Sequence, residues 1–427
     1  MSHIAALPVW GMIFWGVITF SMLVFIHEGA HFLAARAFGV KVHEFMLGLP
    51  GPAIRLHTKA TTFGVTAIPF GGYVRIAGME PGAEDELLAS ALAESVRARR
   101  IDATALAAAL GVPLERASSL LVTLADYGAI EPATDDKVSY LAKSAAEAGE
   151  PPADMLARVR AQTYRGRSTW QRIVILSAGV VVNIVAAILT FTIVLTVYGY
   201  PTPTLVLGQV LAGGAAKASG LAAGDRLTAI DGVKVASWDD VLAKLRAHKP
   251  GDAIVVTYVR DGATHEARAV LRKNGTRAFL GVGAAVSYQR SAVLRAFGDS
   301  LKLTGEVFAA IWQFFANVVH PARFVAGLKD ARSVVGIAEL AAQQAQAGPL
   351  DYAWFVALLS LSLGVMNILP IPPLDGGKVA MEIGERIVGR PLKREWSLGI
   401  SLVGTALLFT LIGYLVYADI VRVASGH

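Results

Sequence analysis

The run from Val9 to Phe38 is mostly apolar and, at about 1.5 Å per residue, long enough to cross a bilayer as one helix. A span of this kind must satisfy its backbone groups within itself, so the chain around it folds as a helical membrane protein with soluble parts attached. Inside the run lies His27-Glu28-Gly29-Ala30-His31. On a helix, positions i and i+4 share a face, so one metal can meet two imidazoles with a carboxylate beside them. That pattern binds zinc and activates water. Ionisable side chains are costly in a membrane unless paired, metal-bound or facing a wet cavity, and the alternative to a metal site is a buried polar packing cluster.

Of the 427 residues, 54% are hydrophobic and 17% charged, against about 25% charged in soluble domains. The expectation is a polytopic membrane protein. There is no cysteine, which excludes disulfides, thiolate zinc sites and cysteine nucleophiles, so zinc ligands must be His, Asp or Glu. The N-terminus lacks a basic start and a small-residue cleavage site, so the first apolar run is expected to stay as a helix. The net charge of +6 fits basic cytoplasmic flanks rather than a nucleic-acid footprint.

Three further runs are long enough to span: Ile173 to Tyr198, Trp354 to about Leu374, and Leu398 to Tyr417. Arg36, Lys41 and Arg55 follow the first helix, a series from Arg158 to Arg172 precedes the second, and Lys378 to Arg394 fills the loop between the third and fourth. Pro201 to Ala216 and Ser333 to Ala353 carry no Lys or Arg, so segment 200–353 and both termini are predicted outside. Leu294 to Val319 has helical apolar spacing interrupted by Asp299, Lys302 and Glu306, and predicts an amphipathic surface helix or, alternatively, a fifth span.

Between the spans, Glu44 to Gly78 alternates apolar residues with Gly and Pro and predicts membrane-associated β-hairpins, or an ordinary interfacial loop. Residues 80–162 are Ala-rich and charged. Glu84 to Arg100, Ala103 to Leu110 and Leu114 to Tyr127 predict three helices of a winged-helix-like cytoplasmic insert, with Asp135 to Pro152 as linker. The candidate recognition helix has Arg116 as its only basic residue, so no nucleic acid is expected and a protein-binding or regulatory role is favoured over DNA binding.

Gly220-Leu221-Ala222-Ala223-Gly224-Asp225-Arg226-Leu227 and the following Ile230-Asp231-Gly232 resemble the signature of bacterial PDZ domains, over about Thr202 to Leu271. Such domains capture peptides or chain ends by strand addition; a spacer that excludes folded substrates is the alternative.

The third run ends in Asn367-Ile368-Leu369-Pro370-Ile371-Pro372-Pro373-Leu374-Asp375-Gly376-Gly377. Prolines break the helix, and broken membrane helices expose backbone only where they line a cavity. Asp375 is the natural third ligand beside His27 and His31, a polar surface turn being the alternative.

Together, the His-Glu-x-x-His motif, Phe70-Gly71-Gly72-Tyr73-Val74, the PDZ signature and the Asn367 to Gly377 motif resemble the site-2 protease family of intramembrane zinc metalloproteases. The resemblance covers nearly the whole chain except the insert. It implies one Zn2+ per chain held by His27, His31 and Asp375, with Glu28 as general base. It also implies a substrate-handling role for Gly71, Gly72 and Tyr73, and makes Asn183 and Asn367 candidates for binding substrate backbone. Two departures are Val180, where the family has proline, and the stretch Ser333 to Ile337 before the third span.

The fold class expected is therefore a polytopic α-helical membrane protein of about four transmembrane helices with a β-hairpin region, a cytoplasmic winged-helix-like insert and an extracytoplasmic PDZ domain. The boundaries expected are 1–79, 80–162, 163–200, 201–275, 276–353 and 354–427. The function expected is hydrolysis of peptide bonds in transmembrane segments of single-span proteins, such as anti-sigma factors or remnant signal peptides, in the inner (plasma) membrane, with the active site towards the cytoplasm and membrane lipid as surroundings. A non-catalytic PDZ-bearing adaptor and a membrane-tethered transcription regulator are the alternatives.

Overall fold

Helix α1 (Val9–Ala37) leads into four strands: β1 (Val42–Leu47), β2 (Ala53–His57), β3 (Thr62–Thr66) and β4 (Gly72–Ile76). This computed structural model describes residues 9–58, 60–68, 71–80, 84–136, 138–142, 150–274, 277–320, 333–392 and 394–424. The strands form one sheet in the order β2-β3-β1-β4, with β1 parallel to β3 and antiparallel to β4. Only β2 and β3 make a hairpin, so the hairpins expected over 44–78 become a sheet in which β4 returns to β1. Gly72 permits this: a Cβ there would stand 2.7 Å from Val24 Cγ1 of α1. The β2 edge presents Ile54 and Leu56 to the outside, 86% and 67% exposed.

Next come α2 (Leu88–Ala98), β5 (Arg100–Ile101), α3 (Ala103–Leu110), α4 (Leu114–Tyr127), β6 (Ile130–Pro132), β7 (Tyr140–Ala142) and α5 (Pro152–Arg160). Asp102 caps α3 by accepting from the Ala105 amide at 2.8 Å, and Gly111 ends it with a left-handed φ of +64°, which suits a residue without Cβ. The helices close on Leu92, Leu106, Leu120, Leu121 and Leu124. The expected linker 135–152 instead contributes β7, which pairs with both β5 and β6; residues 137 and 143–149 of it lie outside the described residues. Three residues are too few for a periodic signal. What returns the chain is Arg100, bonded to Asp135 at 2.7 Å and Asp136 at 2.6 Å.

Helix α6 (Thr169–Val197) runs unbroken through Val180. After it, β8 (Tyr200–Val210), α7 (Ala215–Ala218), β9 (Arg226–Ile230), β10 (Val233–Lys234), α8 (Trp238–Ala247), β11 (Ala253–Arg260), β12 (Ala263–Val270), β13 (Arg272–Asn274), β14 (Arg277–Phe279) and β15 (Val282–Gln289) follow. The main sheet has the order β12-β11-β9-β8-β15, over a core including Leu227, Ile230, Val241, Ile254 and Val256. β15, which lies beyond the boundary expected at 275, pairs with β8.

Helix α9 (Val293–Val319) carries Arg295, Asp299, Lys302 and Glu306 and is not among the four long apolar helices. Helix α10 (Val334–Ala347) lies against α1, where a Cβ on Gly16 would stand 2.7 Å from Ala338 Cβ. The segment expected at the membrane surface over 276–353 thus divides between the β-sheet, α9 and a helix packed on α1. Helices α11 (Pro349–Ile368), α12 (Asp375–Val388) and α13 (Arg394–Ala424) complete the chain. Among the described residues α1, α6, α11 and Glu395–Asp419 of α13 are long and apolar enough to cross a membrane. By contact the chain divides into two compact units, one built on Phe191–Ser300 and the other on Leu7–Thr190 with Leu301–His427.

Within the first unit, Asp225 is 1% exposed and accepts from Arg260 Nε at 2.7 Å and from the Ala222 amide at 2.8 Å. Burial opposes its charge, but the guanidinium and the amide outweigh burial and hold the carboxyl below the ordinary range. A depressed pKa adds stability above the ordinary carboxylate range, and that stability disappears as pH falls through the folded value. Arg260→Met is expected to destabilise this sheet by about 2 kcal/mol at neutral pH and by progressively less at acid pH. Hydrogen exchange of β9 and β11 amides measures both effects.

Candidate functional site

Burial along α1 follows one face, Leu23, His27, Ala30, His31 and Ala35, so the two histidines point into the protein while Phe25 and Leu33 point out. The His31 ring is fixed by α6, its Nδ1 donating to the Ile175 carbonyl at 2.7 Å. That bond puts the proton on Nδ1 and leaves the Nε2 lone pair directed inward. His31 Nε2 lies 3.3 Å from His27 Nε2 and 3.1 Å from Asp375 Oδ2, and His27 Nε2 lies 3.0 Å from the same oxygen. All three residues are buried.

Asp375 reaches this point because α11 stops at Ile368 and the chain restarts as α12 with Asp375 as its first residue. The two glycines after it are required by space. A Cβ on Gly376 would collide with the Ile368 carbonyl, and one on Gly377 with the Pro372 nitrogen. Lys378, one turn on, donates to the other carboxylate oxygen of Asp375 at 3.3 Å.

Asn183 on α6 is fully buried. Its Nδ2 lies 3.2 Å from His27 Nδ1, and its backbone carbonyl accepts from Ser360 Oγ of α11 at 2.9 Å. Its Oδ1 is buried without a hydrogen-bond partner among the described residues. Asn183 therefore contacts a histidine, whereas Asn367 donates from Nδ2 to the Leu363 carbonyl of its own helix at 2.9 Å. Glu28 is half-buried beside β4, its Cγ 3.6 Å from where a Cβ on Gly72 would sit. Gly71 takes a φ of +89° just before the strand. Tyr73 turns towards β1 and donates to Glu44 Oε2 at 3.2 Å. The expected residues thus fall into a tight group of His27, His31, Asp375 and Asn183, a flank of Glu28 and Gly72, and two residues, Tyr73 and Asn367, bonded elsewhere.

Gly179 was not among the expected site residues. A Cβ on it would stand 2.5 Å from His31 Nε2 and 2.7 Å from His27 Nδ1, so its bare backbone lets α6 approach both rings. The available signal was its position one turn before Asn183, on the same helical face.

The model of peptidase family M50 matches residues 15–411. The chain belongs to this family, the site-2 proteases. This M50 chain is 32% identical over 447 residues to a Neisseria meningitidis protein bearing a zinc metalloprotease name, covering 94% of this chain and 97% of that one. The regulator of sigma-W protease RasP of Bacillus subtilis is 27% identical over 424 residues, with 95% and 97% covered. A solved PDZ domain from Listeria monocytogenes matches 20% of this chain and 92% of its own length, at 22% identity and a TM-score of 0.18. The M50 chain is a membrane-integral zinc metalloprotease.

Gly179→Ala is expected to displace one or both imidazoles, because the added methyl meets rings already held in place by Asp375 and the Ile175 carbonyl. Zinc affinity should fall about tenfold, the lower end of what disturbed support of a metal site costs. Zinc per purified chain, titrated against a chelator, reads this directly.

Proposed function

We propose that His27, His31 and Asp375 hold the catalytic zinc of this protease and that Glu28 is its general base. The observation that carries the reading is the convergence of two imidazole nitrogens and one carboxylate oxygen, 3.0 to 3.3 Å apart, in an apolar helical setting. Tetrahedral zinc with bonds of 2.0 to 2.1 Å requires ligand atoms about 3.3 Å apart, close to these separations. Asn183 supports it too. A His27 that binds metal through Nε2 carries its proton on Nδ1 and needs an acceptor there, and turning the Asn183 amide over presents the Oδ1 that otherwise has no partner. Asn183 on this reading positions His27, while Gly71, Gly72 and Tyr73 shape the path of the substrate past Glu28.

When bound, zinc supplies Lewis-acid polarisation of the scissile carbonyl and of the attacking water. The Glu28 carboxylate takes the proton from that water and delivers it to the leaving amide nitrogen. Its place beside Gly72 keeps it next to the start of β4. The substrate is a single-span membrane protein whose helix unwinds before cleavage, since helical carbonyls are already bonded and shielded. Anti-sigma factors and remnant signal peptides both have this form.

The orientation we infer places the active site and the insert towards the cytoplasm and the unit of residues 191–300, a PDZ-type module for peptides or chain ends, outside the plasma membrane. Lys and Arg bordering the spans on one side support it. The insert reads as protein-binding rather than DNA-binding, since Arg116 is already engaged by Asp85 through two hydrogen bonds of 2.8 and 2.9 Å.

Glu28→Gln should retain zinc and lose proteolysis, because the amide fits but cannot accept the water proton. Asp375→Ala should lose both zinc and activity. Elemental analysis of the purified chain, beside cleavage of a model single-span substrate in detergent, separates the two roles. Full zinc and activity in Asp375→Ala would place the third ligand elsewhere. For topology, a single Cys at Ser237, in a chain with no other, should label from outside intact cells. Labelling only after the membrane is opened would reverse the orientation.

A further inference from the structure

Where the first turn of α6 meets the end of α12, a cavity of about 370 Å³ is lined by Arg160, Arg165, Arg172, Arg386 and Arg390, with Glu84 and Glu385 its only carboxylates. Both carboxylates are engaged. Glu84 accepts from the Tyr127 hydroxyl and pairs with Arg160 at 2.7 Å, and Glu385 accepts from the Leu392 amide at 2.9 Å. Arg172 pairs with Glu382 at 3.1 Å, yet its Nε is buried without a hydrogen-bond partner among the described residues. Arg386 and Arg390 make no ion pair among the described residues. Thr169, the first residue of α6, lines the same cavity, so the positive end of a 29-residue helix adds to the guanidinium charge.

Exposed apolar side chains stand close in sequence to residues that line the cavity. Trp170 is 60% exposed, Trp396 67%, Ile387 79% and Val388 61%. Trp170 stands in the first turn of α6 and Trp396 in that of α13, two helices long and apolar enough to cross the membrane, where tryptophan belongs at headgroup level, and Ile387 and Val388 follow Arg386 at the end of α12. A basic pocket between membrane helices takes phosphate-bearing headgroups, and an apolar rim takes acyl chains. A soluble phosphate compound would use the arginines but leave these exposed apolar side chains bare.

We propose that this cavity binds the phosphate of an anionic membrane phospholipid, with Arg386 and Arg390 as its free cationic contacts and the exposed tryptophans and aliphatic side chains against the acyl chains. The occupant bridges α6, which carries Gly179 and Asn183, to α12, which begins with Asp375. The inference requires only that the chain is integral to the membrane, and stands apart from the assignment of zinc ligands.

The test uses the full chain in neutral detergent, with phosphatidylglycerol, phosphatidylcholine, inorganic phosphate and glycerol 3-phosphate as probes. Lipid retention by native mass spectrometry and the thermal midpoint are the readouts. Phosphatidylglycerol should be retained over phosphatidylcholine and should raise the midpoint. R386Q/R390Q should weaken that binding about thirtyfold, since each arginine near a lipid surface contributes roughly a fivefold factor. R386K/R390K should keep most of it. R246Q/R268Q, which removes the same charge from the other unit, should change nothing. If R386Q/R390Q does not fold, R390Q, which lies beyond the helix end, carries the comparison with an expected loss of about fivefold. Undiminished phosphatidylglycerol binding in the glutamine variants, or an equal loss in R246Q/R268Q, overturns the proposal. So does a midpoint shift by inorganic phosphate or glycerol 3-phosphate as large as that by phosphatidylglycerol, which would identify a soluble phosphate compound as the occupant.

Discussion

Ionisable groups taken out of water must be neutralised, paired or bound to metal, and the membrane half of this molecule is arranged around one such group of three. His27, His31 and Asp375 come from two helices far apart in the chain, and each would be costly alone in an apolar setting. Brought within about 3 Å of one another they satisfy one another's polar atoms, and they form a donor set suited to zinc. The outer contacts follow from the same constraint. The Ile175 carbonyl sets the tautomer of His31, Asn183 reaches the far nitrogen of His27, and Lys378 takes the second oxygen of Asp375.

Close backbone approach makes the group possible. Gly179 lets α6 touch both imidazoles, Gly364 lets α11 lie against Val180 and Ile184, and Gly376 and Gly377 allow the broken segment to fold back on its own helix end. Gly404 on α13 accommodates the Pro372 carbonyl in the same way. Membrane helices gain little from hydrophobic contact with one another, so small residues that bring backbones together carry much of the packing. In this protein the same glycines carry the precision of the group, because a side chain at any of them would disturb the packing that brings the three residues together.

The exposed surface follows a different logic. Apolar side chains on the outer faces of the spanning helices are too many for an aqueous surface and belong against lipid. The insert, by contrast, closes its own leucine core and directs its charges to water. Its one basic residue on α4 is held by Asp85.

The family, the metal chemistry and the four spans were legible in sequence because each depends on local spacing: two histidines one turn apart, apolar runs of bilayer length, and prolines that break the chain between one helix and Asp375. Short helices such as Ala103–Leu110 and Leu114–Tyr127 were also read to the residue, since a cap and glycines mark their ends. What sequence could not supply were relations between distant segments. The pairing of β15 with β8 and of β7 with β5 rests on partners up to 89 residues away, such as Tyr200 and Gln289, and short strands carry no period of their own. That Asn183 bonds a histidine while Asn367 bonds its own helix was equally hidden, since the two residues differ only in what packs beside them. The sequence by itself determined which atoms were available to hold a metal. The tertiary structure decided which of them meet, because only helix packing through glycine brings α6 and the start of α12 against the two histidines.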